Sequence, residues 1–260
     1  MGHLRLADRL PRYANWKRVV EALRDPSEDL ESIAAKAADA AKQKLSESAD
    51  SPYVWYPYWF LIQLTAHAEE PNGFRSFLLR HDIVPDEQES AVALISDLTR
   101  ILEDRRKEFP PPTALDELAL DAFHEAVGNI MLSEGNSLFD SALEEARRAF
   151  ARFAPSRAFG RLSRVYLGSY YGEVLSYFLS YELGNEVGAE RRFGSYEDAE
   201  DFNRRLGSYA HGVSELVEEF AQGWYSKQLW EKGEISQEAA RRFLHIAFRK
   251  FQQQLETEVG

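Results

Sequence analysis

The sequence has 260 residues, with 31 Lys and Arg against 43 Asp and Glu, which gives a formal net charge of −12 at neutral pH. Hydrophobic residues make up 44% of the chain, enough for a sizeable core, so a mainly disordered chain is excluded. There is no cysteine, which excludes disulfide frameworks, thiolate zinc sites, iron–sulfur clusters and cysteine nucleophiles. The first ten residues contain Arg5, Asp8 and Arg9 without an apolar secretory run, so we expect a cytoplasmic protein.

Apolar residues recur at helical spacing along almost the whole chain, and no segment shows sustained alternation of apolar and polar residues. The sequence therefore predicts an all-α protein, a bundle of about nine to eleven helices. The clearest amphipathic segment is 26–47, where Ser27 is placed to cap the first turn. Its predicted buried stripe consists of Leu30, Ile33, Ala34, Ala37, Ala41 and Leu45.

Residues 51–69 contain a high density of aromatic side chains, which predicts a buried helix. A short helix is expected over 73–80, and a longer one follows Pro85 and ends near Phe109. The residues of the longer helix that are predicted to face inward are Val92, Ile95, Leu98 and Leu102.

Three consecutive prolines at 110–112 form the sharpest break in the chain, because they cannot continue a helix. They predict a division into an acidic N-terminal helical subdomain, 1–109, and a C-terminal helical subdomain, 113–260. In the second part, helices are expected to begin at Thr113 and at Ser137, and a long central helix is expected over 156–185. Two further helices, over 195–230 and 236–258, complete the prediction.

Small residues recur along the predicted long helix at every fourth position. Rows with this spacing interdigitate when helices cross, and small side chains let the backbones approach closely, so the row predicts a central helix. Its members are Gly168, Gly172, Ser176, Ser180, Gly184 and Gly188.

Glu173 lies in the middle of a tyrosine-rich face of the same helix, and two interpretations of it stay open. It is either a buried carboxylate satisfied by tyrosine hydroxyls or a ligand-binding or acid–base group with a raised pKa. Residues 165–183 have the length of a membrane span, but they contain Glu173, five tyrosines and three serines. We therefore expect no contact with a membrane.

Between Ala146 and Gly172 the sequence has six arginines and no acidic residue. Residues 1–145 carry 15 basic and 27 acidic side chains, whereas residues 146–260 carry 16 of each, so the net negative charge is N-terminal. Three interpretations of the arginines stay open: internal pairing with the acidic half, docking of a protein partner, and binding of phosphate or nucleic acid. These six residues, named here the arginine belt, are Arg147, Arg148, Arg152, Arg157, Arg161 and Arg164.

The dipeptide His81-Asp82 in an all-helical chain resembles the HD-type metal phosphohydrolases, whose helical fold carries a histidine, a His-Asp pair and a later aspartate. The resemblance implies that His67 and Asp121 complete such a metal site. The sequence contains no Gly-x-Ser-x-Gly element and no Gly-rich phosphate-binding loop with its lysine. Nucleophilic and nucleotide-dependent catalysis therefore lack their usual sequence support.

Two other groups of residues share a helix face at the spacing of metal ligands: Glu117 with Asp121 and His124, and His211 with Glu215. For both groups we expect hydrogen bonds on the helix surface instead. On the last helix, a polar stripe lies opposite Phe243, Ala247, Phe251 and Leu255, and we expect it to be solvated, with docking of a partner as the alternative. The stripe consists of Arg241, His245, Arg249 and Gln252.

The sequence thus predicts a non-catalytic helical adaptor or regulatory subunit that binds a protein partner within a bacterial multi-protein or nucleoprotein assembly. No cofactor and no metal are expected. One alternative is binding of nucleic acid or a phosphate ligand through the arginine belt, and a second is a degenerate HD-type phosphohydrolase. The predicted binding contacts are Arg148, Arg152, Arg157, Arg161 and Arg164.

Overall fold

A computed structural model describes residues 13–84, 91–132 and 141–258. Within these ranges the protein is an all-α bundle, as predicted, and the only β-type pairing is an isolated bridge between Val187 and Phe193. The helices are α1 (Tyr13–Arg24), α2 (Leu30–Ser48), α3 (Pro52–Ala68), α4 (Pro71–Arg80), α5 (Ala91–Arg106), α6 (Ala114–Leu132), α7 (Ala142–Ala151), α8 (Ser156–Asn185), α9 (Tyr196–Val213), α10 (Glu215–Lys232) and α11 (Gln237–Glu258).

Helix α2 begins about one turn later than predicted, because Asp29 caps it and Ser27 does not. The Asp29 carboxylate accepts a hydrogen bond from the Ser32 amide at 2.8 Å, the usual N-cap arrangement. Ser27 instead donates its hydroxyl to Asp25, at 2.6 Å, in the preceding turn. The predicted buried stripe is confirmed, since all of its residues are buried where α2 packs on α1, α8 and α11.

Helix α3 forms the aromatic centre of the core, which confirms the predicted buried helix. Ser51 caps it by accepting a hydrogen bond from the Tyr53 amide. The ring of Tyr58 is fully buried and stacks on Tyr166 and Phe243, with centroid distances of 5.3 and 5.4 Å. These contacts join α3 to α8 and α11 at the middle of the bundle.

The prediction for α5 is partly wrong. Val92 is 71% exposed, because the helix turns Leu94, Leu98 and Leu102, spaced four apart, toward the core. The predicted helix start at Ser137 lies outside the described residues. Within them, α7 begins after Ser141, whose side chain accepts a hydrogen bond from the backbone of the first turn.

The single helix predicted over 195–230 is also wrong, since the chain forms two helices that meet at Ser214. Ser214 is fully buried, and its hydroxyl donates to the His211 carbonyl at 2.6 Å. A Cβ added to Gly168 would lie 2.9 Å from the Ser214 oxygen, so α8 passes directly against the break. Both α9 and α10 pack along α8, and the change of direction at Ser214 lets each of them follow it.

Helix α8 has the predicted bounds and is the central helix, in contact with α1, α2, α6, α9 and α10. A Cβ on Gly160 would lie 2.5 Å from the Glu218 carbonyl oxygen of α10, and one on Gly172 would lie 3.4 Å from Gly207 of α9. Ser176 donates its hydroxyl to Asn203 of α9 at 2.8 Å. Small residues therefore set the approach of α8 to its neighbours, as the spacing predicts.

The row of small residues stops acting as a packing surface beyond Ser176. Ser180 and Gly184 are exposed, and a Cβ at Gly184 would meet nothing within 4 Å. Gly188 follows the helix and has a φ of 139°, which a residue with a side chain rarely adopts. The prediction is therefore confirmed for the first half of the row and wrong for its end.

Helices from both sides of the proline segment 110–112 contribute to one continuous hydrophobic core. Helix α3 packs on α6, α7 and α11, and α2 packs on α8 and α11. The hydroxyl of Tyr53 donates to the Pro110 carbonyl at 2.5 Å, which anchors the segment to α3. The division into subdomains 1–109 and 113–260 stays a prediction.

Candidate protein-docking surface

The arginine belt lies on α7 and on the first turns of α8. Helix α7 buries its apolar side, including Ala146, Ala149 and Phe150, toward α3 and α6, so its arginines project from the remaining surface. Pro155 takes the N-cap position of α8 and separates the two helices. The belt therefore spans a turn between two helices and does not form one continuous stripe.

Arg147 and Arg164 form well-defined ion pairs within the fold. The side chain of Arg147 is 15% exposed, donates to both Glu144 oxygens at 2.9 and 2.6 Å and donates to the Ala68 carbonyl at 2.8 Å. The hydrogen bond with Glu144 raises the pKa of Arg147. Arg164 lies 3.0 Å from Glu215 and 3.6 Å from Glu218 of α10, so it pairs within the C-terminal half of the chain.

The other predicted contacts differ in exposure. Arg148 is half-buried on α7, whereas Arg152, Arg157 and Arg161 are exposed. Among the described residues, no carboxylate lies within ion-pair distance of Arg157 or Arg161. These two exposed residues lie one helical turn apart on the side of α8 that also carries Arg164, so they present adjacent positive charges to solvent.

An exposed tryptophan lies at the same end of the α8–α10 pair. The two helices run antiparallel, with Gly168 against Ser214, Gly160 against Glu218, and the ring of Phe159 stacked 4.1 Å from that of Tyr225. Going from Tyr225 toward the end of α10 is therefore the same direction as going from Phe159 toward the start of α8. Trp230, which is 91% exposed, lies about 7 Å along α10 beyond Tyr225.

Sequence reasoning missed Trp230 as a surface residue, because tryptophan is on average a well-buried residue type. The signal that was present is local: Trp230 lies in the last turn of α10, next to Glu231 and Lys232 and just before the left-handed Gly233. We name Arg152, Arg157, Arg161 and Trp230 together the arginine–tryptophan surface.

Glu173 lies exposed on the side of α8 that faces α6, so the interpretation of it as a buried carboxylate is wrong. The pKa of Glu173 is raised by partial loss of solvent and by the neighbouring carboxylates of Asp121 and Glu125. Glu125 in turn accepts a hydrogen bond from Ser169 at 2.5 Å and lies 3.8 Å from the His211 ring. Of the three neighbouring carboxylates, Glu125 is therefore the one that bonds to α8 and lies beside α9.

The histidines implied by the HD-type resemblance pack on an aromatic ring. The rings of His67 and His81 lie 4.8 and 4.6 Å from Phe77, and burial lowers the pKa of both. Asp121 lies on α6, where its negative charge helps to raise the pKa of Glu173. In the part of the chain that the structure describes, no three His, Asp or Glu side chains come together in a way that could hold a metal ion.

The residues with metal-ligand spacing on α6 each have a different partner. His124 hydrogen-bonds the Thr99 hydroxyl at 2.8 Å, and Glu117 forms an ion pair with Arg106. His211 lies beside Glu125, while Glu215 pairs with Arg164. The expected surface hydrogen bonds and ion pairs are present for these residues.

The polar stripe on α11 is divided between internal contacts and solvent. Arg241 and His245 both bond the same Asp50 oxygen at the end of α2, with shortest distances of 2.6 and 2.8 Å. The hydrogen bond with Arg241, followed by that with His245, lowers the pKa of Asp50. Arg249 is exposed, and Gln252 is buried at the edge of a groove between α2 and α11.

The chain matches no protein-family profile, no curated protein sequence and no solved structure. Among the described helices, none combines the length and apolar composition that crossing a bilayer requires, and this includes the long α8. The functional proposal therefore depends on the surface chemistry of this chain alone.

Proposed function

We propose that this protein is a non-catalytic helical adaptor or regulatory subunit that docks an acidic surface of a partner protein on its arginine–tryptophan surface. One observation carries the proposal: Arg157 and Arg161 are exposed side by side with no described carboxylate to neutralise them, in a protein of net charge −12. Because no described carboxylate neutralises Arg157 or Arg161, a carboxylate-rich surface of a partner can pair with both.

The residue types at this surface favour a protein partner. Trp and Arg are enriched among the few residues that dominate binding energy at protein interfaces, and here an exposed Trp lies at the same end of the α8–α10 pair as two exposed arginines. Arginine binds carboxylates through paired N–H groups, which adds directional selectivity. The close approach of α8 to α10 at Gly160 fixes the relative position of the two halves of the surface.

The net charge of the protein favours this assignment over nucleic acid, because a polyanion is repelled by the acidic majority of the surface. Membership in a bacterial multi-protein or nucleoprotein assembly and a cytoplasmic location remain parts of the proposal.

The test is a quantitative capture experiment with a matched control. Immobilised wild-type protein, Arg157→Glu/Arg161→Glu and Arg204→Glu/Arg205→Glu are each incubated with nuclease-treated lysate of the source cells, and bound proteins are quantified. The control pair is exposed on α9 and changes the net charge by the same amount. We expect one or more acidic proteins to be lost at least about tenfold from the belt variant and kept by the control, with weaker capture at high salt.

Equal capture by all three proteins contradicts the proposal. So does a bound set that is captured from untreated lysate and is absent from nuclease-treated lysate, which would assign the surface to nucleic acid instead.

A further inference from the structure

The side of the bundle formed by α6 and the middle of α8 carries three exposed carboxylates, Asp121, Glu125 and Glu173. Asp121 and Glu125 lie one turn apart on α6, and Glu173 lies on α8, which packs on α6. Partial loss of solvent, followed by the charges of Asp121 and Glu125, raises the pKa of Glu173, so the three groups are close in space. We name these three residues the carboxylate face.

The protein itself does not neutralise the carboxylate face. Among the described residues, no Lys or Arg forms an ion pair with any of its three members. Glu125 accepts a hydrogen bond from Ser169 and lies 3.8 Å from the His211 ring. By contrast, hydrogen bonds from basic side chains lower the pKa values of Asp50 and Asp104. The negative charge of the carboxylate face is therefore available to a cationic partner.

The arginine–tryptophan surface is the chemical complement of this face. Arg157 and Arg161 supply exposed guanidinium groups without a described carboxylate, whereas the carboxylate face supplies exposed carboxylates without a described Lys or Arg. A guanidinium group binds a carboxylate through two parallel N–H groups, so each surface offers what the other lacks. Every copy of the chain carries both surfaces.

The two surfaces point in different directions. Along α8, Glu173 projects about 120–160° away from Arg161 and Arg157 and lies about 18–24 Å further along the helix axis. A two-fold dimer that used both surfaces of each copy would need them on the same side of the protein, and this geometry does not provide that. A head-to-tail contact needs only one surface from each copy.

We propose that the arginine–tryptophan surface of one copy binds the carboxylate face of a second copy, so that the protein associates head to tail. This inference rests on the proposed function, since it names the partner of the same surface. Each contact leaves one surface of each copy free, so association continues beyond a dimer. The net charge of −12 opposes the approach of two copies, so the contact is weak, with a dissociation constant of about 100 μM.

Sedimentation equilibrium of the purified full chain, from about 10 μM to about 1 mM, tests the inference. We expect the weight-average mass of wild type to rise with concentration past that of a dimer. Arg157→Glu/Arg161→Glu and Asp121→Lys/Glu173→Lys should each weaken association at least about tenfold, because each places like charges across the contact. Arg204→Glu/Arg205→Glu, the exposed pair on α9 with the same change in net charge as the first variant, should associate as wild type does.

An equimolar mixture of the two charge-reversal variants separates a direct contact from a general effect of net charge. One variant keeps the carboxylate face and the other keeps the arginine–tryptophan surface, so the mixture should associate although neither variant does so alone. Asp121→Asn/Glu173→Gln preserves the size of both side chains and guards against misfolding of the lysine variant. It should weaken association about threefold or more.

The inference is overturned if wild type stays monomeric over this concentration range, or if its mass levels off at that of a dimer. It is also overturned if either charge-reversal variant associates as wild type does, or if their mixture stays monomeric. A monomeric wild type leaves the proposed function standing when Arg157→Glu/Arg161→Glu still loses proteins that wild type captures from lysate. The two proposals therefore fail separately.

Discussion

Two successive stretches of one arginine-bearing side of α8 differ in what the neighbouring helix α10 places opposite them. On the side that faces α10, Gly160 and Gly168 let the helices touch, and Arg164 is neutralised by Glu215 and Glu218. Nearer the start of α8, Arg157 and Arg161 project within about 60° of Arg164, and neither has a described acidic partner. An arginine in this segment is therefore structural or available according to whether a carboxylate of α10 lies opposite it, because all three arginines of α8 project from one side of the helix.

The largest expected effect is at the contact between α8 and α10, in Gly160→Ala. The new Cβ would lie 2.5 Å from a backbone oxygen of α10, which cannot move away as a side chain can, so we expect a loss of about 2 kcal/mol in the free energy of unfolding. Gly184→Ala on the open surface is the control, and it should gain up to about 1 kcal/mol from helix propensity. Urea denaturation measures both, and equal effects would refute the close packing of α8 on α10.

A second prediction concerns the core side of α8, where Ser163 and Tyr58 share a fully buried hydrogen bond of 2.8 Å. Ser163→Ala leaves the tyrosine hydroxyl buried without its partner, so we expect a loss of about 1–2 kcal/mol in the free energy of unfolding. Adding Tyr58→Phe to this variant removes the stranded hydroxyl and should restore most of the loss. No recovery in the double variant would contradict the assigned hydrogen bond.

The third prediction compares the arginines directly. Arg164→Gln removes two partly exposed ion pairs with α10 and should lower the free energy of unfolding by up to about 1 kcal/mol. Arg157→Gln and Arg161→Gln should each stay within about 0.5 kcal/mol of wild type, because they break no described contact. A clear destabilisation by either of the latter would show that these side chains are also structural.

The smallest effect is expected for Glu173→Gln on the side of α8 facing α6. Because the pKa of Glu173 is raised in the folded protein, its ionised form costs stability, and the free energy of unfolding falls as pH rises through that pKa. The variant should therefore be more stable than wild type at pH 7, by less than about 1 kcal/mol for so exposed a group. The difference should vanish below the ordinary pKa of glutamate, and a pH-independent difference would exclude this cause.

Local patterns predicted the helices and missed contacts between distant parts of the chain. The bounds of α8 and the buried stripe of α2 follow from periodicity and breakers such as Pro155, so both are confirmed. The break at Ser214 was missed, because it depends on packing against Gly168, which is distant in sequence. The pairing of Arg164 was missed for the same reason, since its carboxylate partners lie on α10.

The candidate sites could be predicted only in part. The arginine belt is visible in the sequence as a composition, but which of its members are exposed depends on the placement of α10. Trp230 could not be distinguished from a core residue by its type alone. The carboxylate face combines residues of α6 with a residue of α8, which no local pattern connects.

Site-specific photo-crosslinking in the source cells tests the central claim most directly. Benzoylphenylalanine placed at Trp230 keeps an aromatic group at the arginine–tryptophan surface, and the same probe at Tyr196, which is 72% exposed on α9, is the control. We expect a discrete crosslinked product with an acidic protein from position 230, lost when Arg157→Glu/Arg161→Glu is added and absent from position 196. The absence of a product at position 230, or a product that persists in the double variant, would contradict the claim that this surface docks a partner.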